Sequence, residues 1–208
     1  MQRLFLSFLS SHELHAKWLN TLSYLENCGA RKIAACEHPT LVKEEMLKHA
    51  AEEFRHAHHL KRQITRIFHL PMPSYLPSCL LGGSSTLNYL NALDIKTSRY
   101  LAKSGFSKSK VKEIAYLLVT YAIELRAEEL YPLYQSALRE AQSPISVKSI
   151  LLEEKEHLNE MREGLARLPS GFLYAEHVCS FESQLCEKWL LAITKELSNS
   201  LPPSPESF

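Results

Sequence analysis

The chain has 208 residues, with 24 Lys+Arg against 23 Asp+Glu and a formal charge of +1. That is enough chain to bury a sizeable core. An apolar share of 45% excludes a mainly disordered polymer, and near-neutrality supplies no broad field for nucleic acid or a membrane surface. Every acidic residue except Asp94 is Glu, and there are only 6 Gly. Glu sits well inside helices whereas Asp favours caps and turns, so the composition speaks for a helical protein.

The N-terminal MQRLFLSFLSS places Arg3 before a short apolar stretch but has no clear small-residue cleavage site, so it reads as mature sequence. Helical periodicity then predicts a first long helix over about 11–36, ended by Glu37-His38-Pro39. Thr40 can cap a second, over about 41–68. Residues 70–85, rich in Pro, Gly and Ser, read as an irregular connection, followed by a shorter helix over about 86–103. The third long helix spans about 108–142 and Ser143-Pro144 breaks it. The fourth spans about 146–168, stopped by Pro169-Ser170-Gly171, and a fifth covers about 173–197. No stretch alternates as a strand does. Short loops make neighbouring helices antiparallel, so the expected fold is all-α: a four-helix bundle with one long crossover containing a short helix, plus an extra C-terminal helix. Residues 1–197 form one domain in this reading, and 198–208 a flexible tail.

The cysteines are Cys28, Cys36, Cys79, Cys179 and Cys186, odd in number and without a C-x-x-C pair. Neither a disulfide framework nor a cysteine zinc knuckle is expected. No apolar run approaches the ~18 residues that cross a bilayer. The expectation is a cytoplasmic protein with reduced thiols and no membrane partner.

The second helix contains Glu53-Phe54-Arg55-His56 and the fourth Glu154-Lys155-Glu156-His157. Each is Glu-x-x-His, which stacks a carboxylate and an imidazole one turn apart on one face. Chance alone supplies about one such motif in a chain this rich in Glu and His, so placement carries the argument. Glu53 and His56 share a stripe with Met46, Leu60 and Ile64, while Glu154 and His157 share one with Ile150, Met161 and Leu165. A carboxylate in the middle of an apolar face is costly unless paired or metal-bound. On the first helix Glu26 interrupts the stripe of Leu19, Leu22, Ala30 and Ile33. Measured from the break near His38, Glu26 and Glu53 lie at nearly the same height, at ~1.5 Å per residue. On the third helix Glu124 and Glu128 share a stripe with Tyr121 and Tyr131, and height alone favours Glu128. Two Glu-x-x-His motifs on facing helices, with one Glu from each of the other two, make a dinuclear metal site. Two imidazoles point to transition metals rather than calcium or magnesium.

The pattern Glu, Glu-x-x-His, Glu, Glu-x-x-His over about 11–168 resembles the ferritin-like di-iron carboxylate superfamily. AEEFRH, IELRAEELY and LEEKEH look most like the bacterial tRNA hydroxylases, and the spacing of 30 from Glu124 to Glu154 is similar to that of rubrerythrin-like proteins. The resemblance implies Glu26, Glu53, His56, Glu124, Glu154 and His157 as metal ligands, with Glu128 the alternative or extra one. It implies two Fe ions, or Mn with Fe, dioxygen as co-substrate and an external electron donor. The activity implied is oxidation of a small organic substrate; tRNA hydroxylation and iron binding or detoxification are the alternatives. The paired C-x-x-C motifs of a rubredoxin domain are absent from the sequence, and the Glu26-to-Glu53 spacing is shorter than is usual in ferritins.

His49 lies one turn before Glu53 and reads as a core histidine, a partner of a ligand or an extra ligand. Tyr121 and Tyr131 flank the third-helix carboxylates, where either can hydrogen-bond a ligand or carry an oxidising equivalent; Tyr121 is the candidate catalytic residue, and aromatic core packing is the default for both. Between 95 and 112 stand Lys96, Arg99, Lys103, Lys108, Lys110 and Lys112 with no acid after Asp94. A solvated helix face is favoured over a nucleic-acid patch, since aromatic stacking residues are not evident. Bundles often pair through an outer face, so a homodimer is one assembly open to the chain.

Overall fold

The computed structural model of the chain describes residues 2–38 and 40–200. Seven α-helices account for most of them: α1 (Gln2–Leu9), α2 (His12–Cys36), α3 (Glu44–Gln63), α4 (Gly83–Lys103), α5 (Lys108–Glu140), α6 (Lys148–Arg167) and α7 (Gly171–Ser200). Among the described residues there is no strand, so the protein is all-α, as its composition requires.

Local chemistry sets the helix ends. Ser11 accepts a hydrogen bond from the Leu14 amide at 3.4 Å and caps α2. The expected start of α3 at Leu41 is wrong by three residues. Thr40 does not cap it: the Thr40 and Leu41 amides instead donate to His38 Nδ1 at 3.2 and 3.1 Å. Leu41 and Val42 stay exposed, and α3 begins with Glu44 and Glu45, whose charges suit a helix N-terminus. Its far end widens into a π-helical turn, Ile64–Phe68, closed by His69 at φ 54°. Gly82, at φ 75°, precedes α4; a Cβ there would lie 3.0 Å from Ile193 Cγ1, so glycine lets α7 approach.

The first ten residues hold an element that periodicity over so short a stretch did not reveal. α1 buries Phe5 and Phe8 completely, with ring centroids 5.6 and 4.9 Å from Trp18. α7 is longer than expected and reaches Ser200, so 198–200 are helical rather than tail; the remainder of the predicted tail, 201–208, lies outside the described residues.

α2 packs on α3, α5 on α6, α2 on α5 and α3 on α6. The hairpin partners run antiparallel, shown by Ser23 Oγ donating to Ala57 O and by the Val147 amide donating to Gln135. α4 returns along α2 and is covered by α5 and α7. Two apolar clusters fill the interior. One gathers Phe5, Trp18, Leu60, Tyr134, Ile150 and Trp189; the other gathers Leu93, Leu101, Leu118, Leu165 and Val178. On α5 and α6 the sequence passes from one cluster to the other through Glu124 and through Glu154-His157, which places these polar groups where water is excluded. Among the described residues no helix is long and apolar enough to cross a membrane.

Candidate metal centre

Each ligand candidate arrives from the helix stripe that the sequence marked. Glu53, Glu124, Glu154, His49, His56 and His157 are all buried, and the Glu26 side chain is 11% exposed. They converge as two groups that share Glu53: Glu26, Glu53, His56 and Glu154 form one, and His49, Glu53, Glu124 and His157 the other. Within each group the ligand atoms lie within 4.8 Å of one another. His56 Nδ1 is 3.1 Å from Glu154 Oε1 and 4.0 Å from Glu26 Oε2. His157 Nδ1 and His49 Nε2 are both 3.4 Å from Glu53 Oε1, and His49 Nε2 is 3.1 Å from Glu124 Oε1.

Glu128 does not join the group. Its side chain is 39% exposed and faces Arg162 at 3.9 Å, so the height argument that favoured it fails by one turn of α5. Tyr121 takes the default of core packing rather than the catalytic role, lying half-buried against the Leu118–Leu165 cluster. At 3.6 residues per turn it projects about 60° to one side of Glu124, whereas Tyr116, Thr120, Ala127 and Tyr131 project to the other, where they line a cavity. The tyrosine beside the site is Tyr131, whose hydroxyl donates to Glu26 Oε1.

Two residues that sequence reasoning missed fix the imidazoles. His56 Nε2 donates to Glu153 Oε2 at 2.7 Å, and His157 Nε2 to Glu52 Oε2 at 2.9 Å. Each histidine is therefore held by the outer carboxylate of the opposite helix. With Nε2–H so engaged, the Nδ1 lone pair of each ring faces the carboxylates, the arrangement that prepares an imidazole as a metal ligand. Arg55 grips Glu153 through two nitrogens at 2.9 and 2.8 Å. The available signal was the doubling of Glu in both motifs, Glu52-Glu53 and Glu153-Glu154.

The electrostatics describe a crowded, dry site. Burial, with Glu53 beside it, pushes Glu124 up to about 8, offset in part by Glu154. Burial and neighbouring carboxylates raise Glu26 and Glu154 well above the ordinary range. Glu53 goes the other way: burial would raise it, but the His157 and His49 imidazoles hold it below the usual carboxylate range. His56 and His157 are raised, because the carboxylates around them outweigh burial.

The donor set fits metal. Glu53 Oε1, His56 Nδ1, Glu124 Oε2, Glu154 Oε1 and His157 Nδ1 are buried without a hydrogen-bond partner. Buried polar atoms are ordinarily satisfied, and five orphans in one place are what a ligand shell lacks until its ion is present. Four carboxylates and three imidazoles could hold a metal ion in each group, and four negative charges balance two divalent cations.

Beside the carboxylates runs a cavity of about 450 Å³ between α2, α4 and α5. Glu26, Glu53, Glu124 and Glu154 form part of its wall, and the rest is mainly apolar, including Leu25, Ile33, Leu90 and Val119. Comparison with protein-family models, with curated proteins and with solved structures finds no match to this chain.

Proposed function

We propose that this chain is a dinuclear non-haem iron oxygenase of ferritin-like architecture, acting on an organic molecule held in the apolar cavity. The observation that carries the reading is the pair of donor groups sharing Glu53 and opening directly onto that cavity. Glu26, His56 and Glu154 would hold one ion, His49, Glu124 and His157 the other, and Glu53 would bridge them. Two Fe ions, or Mn with Fe, would supply dioxygen activation, placing one oxygen atom in the substrate and releasing the other as water with two electrons and two protons from an external donor.

The chain's own residues do the rest. Glu52 and Glu153 keep the two imidazoles in one tautomer and orientation. Tyr131 pins one oxygen of Glu26 and leaves its other oxygen toward His56. Ile33, Leu90 and Val119 exclude water from the face on which the substrate lies. This apolar wall favours an organic substrate over the free iron of a detoxification protein. It also favours a small molecule over tRNA, because the cavity rim offers too few cations for a run of phosphate contacts.

Anaerobic loading with Fe(II), followed by metal analysis and exposure to dioxygen, tests the reading. Close to two irons per chain and a dioxygen-dependent absorbance change are expected. Loaded protein that consumes no dioxygen refutes it.

A further inference from the structure

The cavity is a long slot, and its two ends differ in chemistry. At the α2 C-terminal end its wall contains Lys32, Cys36, Asp94, Ser98 and Lys112. Lys112 is exposed, while the Lys32 and Asp94 side chains are 30% and 36% exposed and paired with each other. At the other end Tyr89, Leu130, Tyr131 and Trp189, each at most 4% exposed, form a closed aromatic floor. The slot is therefore open at a polar mouth and shut at an apolar base.

Three cations line it, and two are neutralised: Lys32 by Asp94, and Arg126 by the buried Glu182 at 2.9 and 2.7 Å. Lys112 alone has no carboxylate partner among the described residues. The mouth thus carries one uncompensated positive charge, which matches a monoanion.

The carboxylate cluster is not at the base. Cys36 to Glu26 is ten residues along α2, about 15 Å, and Lys112 to Glu124 is twelve along α5, about 18 Å. Past the cluster the slot continues a further ~6 Å to Leu22 and ~10 Å to Tyr131. Mouth to floor is therefore ~21 Å along α2, longer than the ~15 Å depth that one leaflet of a bilayer gives each of its disordered acyl chains, so a ligand that reaches both ends is a fully extended long chain. The volume lies within the ~300–1,000 Å³ of sites that enclose a small molecule.

The geometry points to a long-chain monocarboxylic acid as the cavity's ligand, bound with its carboxylate on Lys112 at the mouth, its tail on Trp189 at the floor, and the interior of its chain against Glu26 and Glu124. The inference rests on the reading of the cluster as a metal centre, since it makes this cavity that centre's substrate site. A lysine ammonium meets a carboxylate as a charge-assisted hydrogen bond. The apolar wall takes the chain out of water along its length.

The test uses the full-length protein, metal-free and again loaded with redox-inert Zn(II), and follows tryptophan fluorescence. Hexadecanoate should bind at least tenfold more tightly than octanoate, which cannot reach both mouth and floor, and tenfold more tightly than hexadecanol. Lys112→Glu should weaken hexadecanoate about tenfold and leave hexadecanol unchanged. Bromine quenches tryptophan at short range, so 16-bromohexadecanoate should quench strongly and 2-bromohexadecanoate weakly. Equal quenching by the two, equal affinity for acid and alcohol, or tighter binding of hexadecyl phosphate than of the acid would each overturn the assignment. Val119→Trp, checked for folding by circular dichroism, should block every ligand by filling the slot; undiminished binding would overturn it too. Fatty-acid binding without dioxygen consumption by the Fe(II)-loaded protein would sink the oxygenase reading and spare the ligand. Dioxygen consumption without fatty-acid binding would do the reverse.

Discussion

Replacing Glu153 by alanine removes the acceptor of the His56 Nε2–H bond without touching any of the seven converging ligand candidates. The lost contact is a 2.7 Å bond to a carboxylate that two Arg55 nitrogens hold in place. Hydrogen bonds to charged groups contribute about 1.5–3 kcal/mol, and Glu153, with its side chain 25% exposed, belongs at the low end. About 1.5 kcal/mol is close to tenfold in affinity, the lower limit of the ~10–100-fold that such outer carboxylates contribute to metal binding. The loss should fall on one ion, because His56 belongs to the group with Glu26 and Glu154, while His157 is held separately by Glu52. A Co(II) titration followed by visible absorbance resolves the two binding steps. Glu153→Ala should weaken one step about tenfold, Glu52→Ala the other, and Arg55→Ala should reproduce the Glu153 effect in reduced form. If Glu153→Ala leaves both steps unchanged, the crossed carboxylates do not orient the imidazoles and the reasoning fails.

Glu53 belongs to both donor groups, so Glu53→Ala should reduce bound metal from two ions toward none, whereas Glu26→Ala should retain one; equal stoichiometry in the two variants contradicts the shared position of Glu53. Metal binding should strengthen from pH 6 to pH 8 and release protons, because Glu124 is pushed up to about 8 and Glu26 and Glu154 are raised as well, leaving protons that the ions must displace. Calorimetry in two buffers of different ionisation enthalpy measures that release. His15 is buried, hydrogen-bonded to the Tyr134 hydroxyl at 2.7 Å, and lowered to about 4 by burial and by His12. The unfolded chain protonates this residue near 6.5, so the stability His15 contributes is complete above that pH and is lost as pH falls toward 4, by about 3 kcal/mol. Urea unfolding at pH 7 and pH 4 should show a drop smaller by about that amount in His15→Gln; an identical drop refutes the assignment. Gly171→Ala should lower the unfolding midpoint, since a Cβ there would sit 2.3 Å from Leu165 O, a backbone atom that cannot swing aside.

The sequence by itself determined the long helices, though not the short α1, and the stripe on each bundle helix that faces inward. Both follow from a local rule: 3.6 residues per turn and the cost of putting charge on an apolar face. That rule placed Glu26, Glu53, His56, Glu154 and His157 together in the interior, and it marked the long crossover. It was silent on quantities that depend on two helices at once. Height across a loop is uncertain by a turn, which is why Glu128 competed with Glu124 until packing put one against His49 and the other against Arg162. Rotation about a helix axis decides which flank of a stripe meets a neighbour, and the α2–α5 contact turned Tyr131 toward Glu26 and left Tyr121 in the apolar core. Glu52 and Glu153 lie beside the stripes, where a sequence reads solvated charge; only the approach of α3 to α6 makes each the partner of the other helix's histidine. The cavity belongs to no helix at all. It is the space that α2, α4 and α5 leave between them, so its length, its mouth at Lys112 and its floor at Trp189 exist only in the assembled fold.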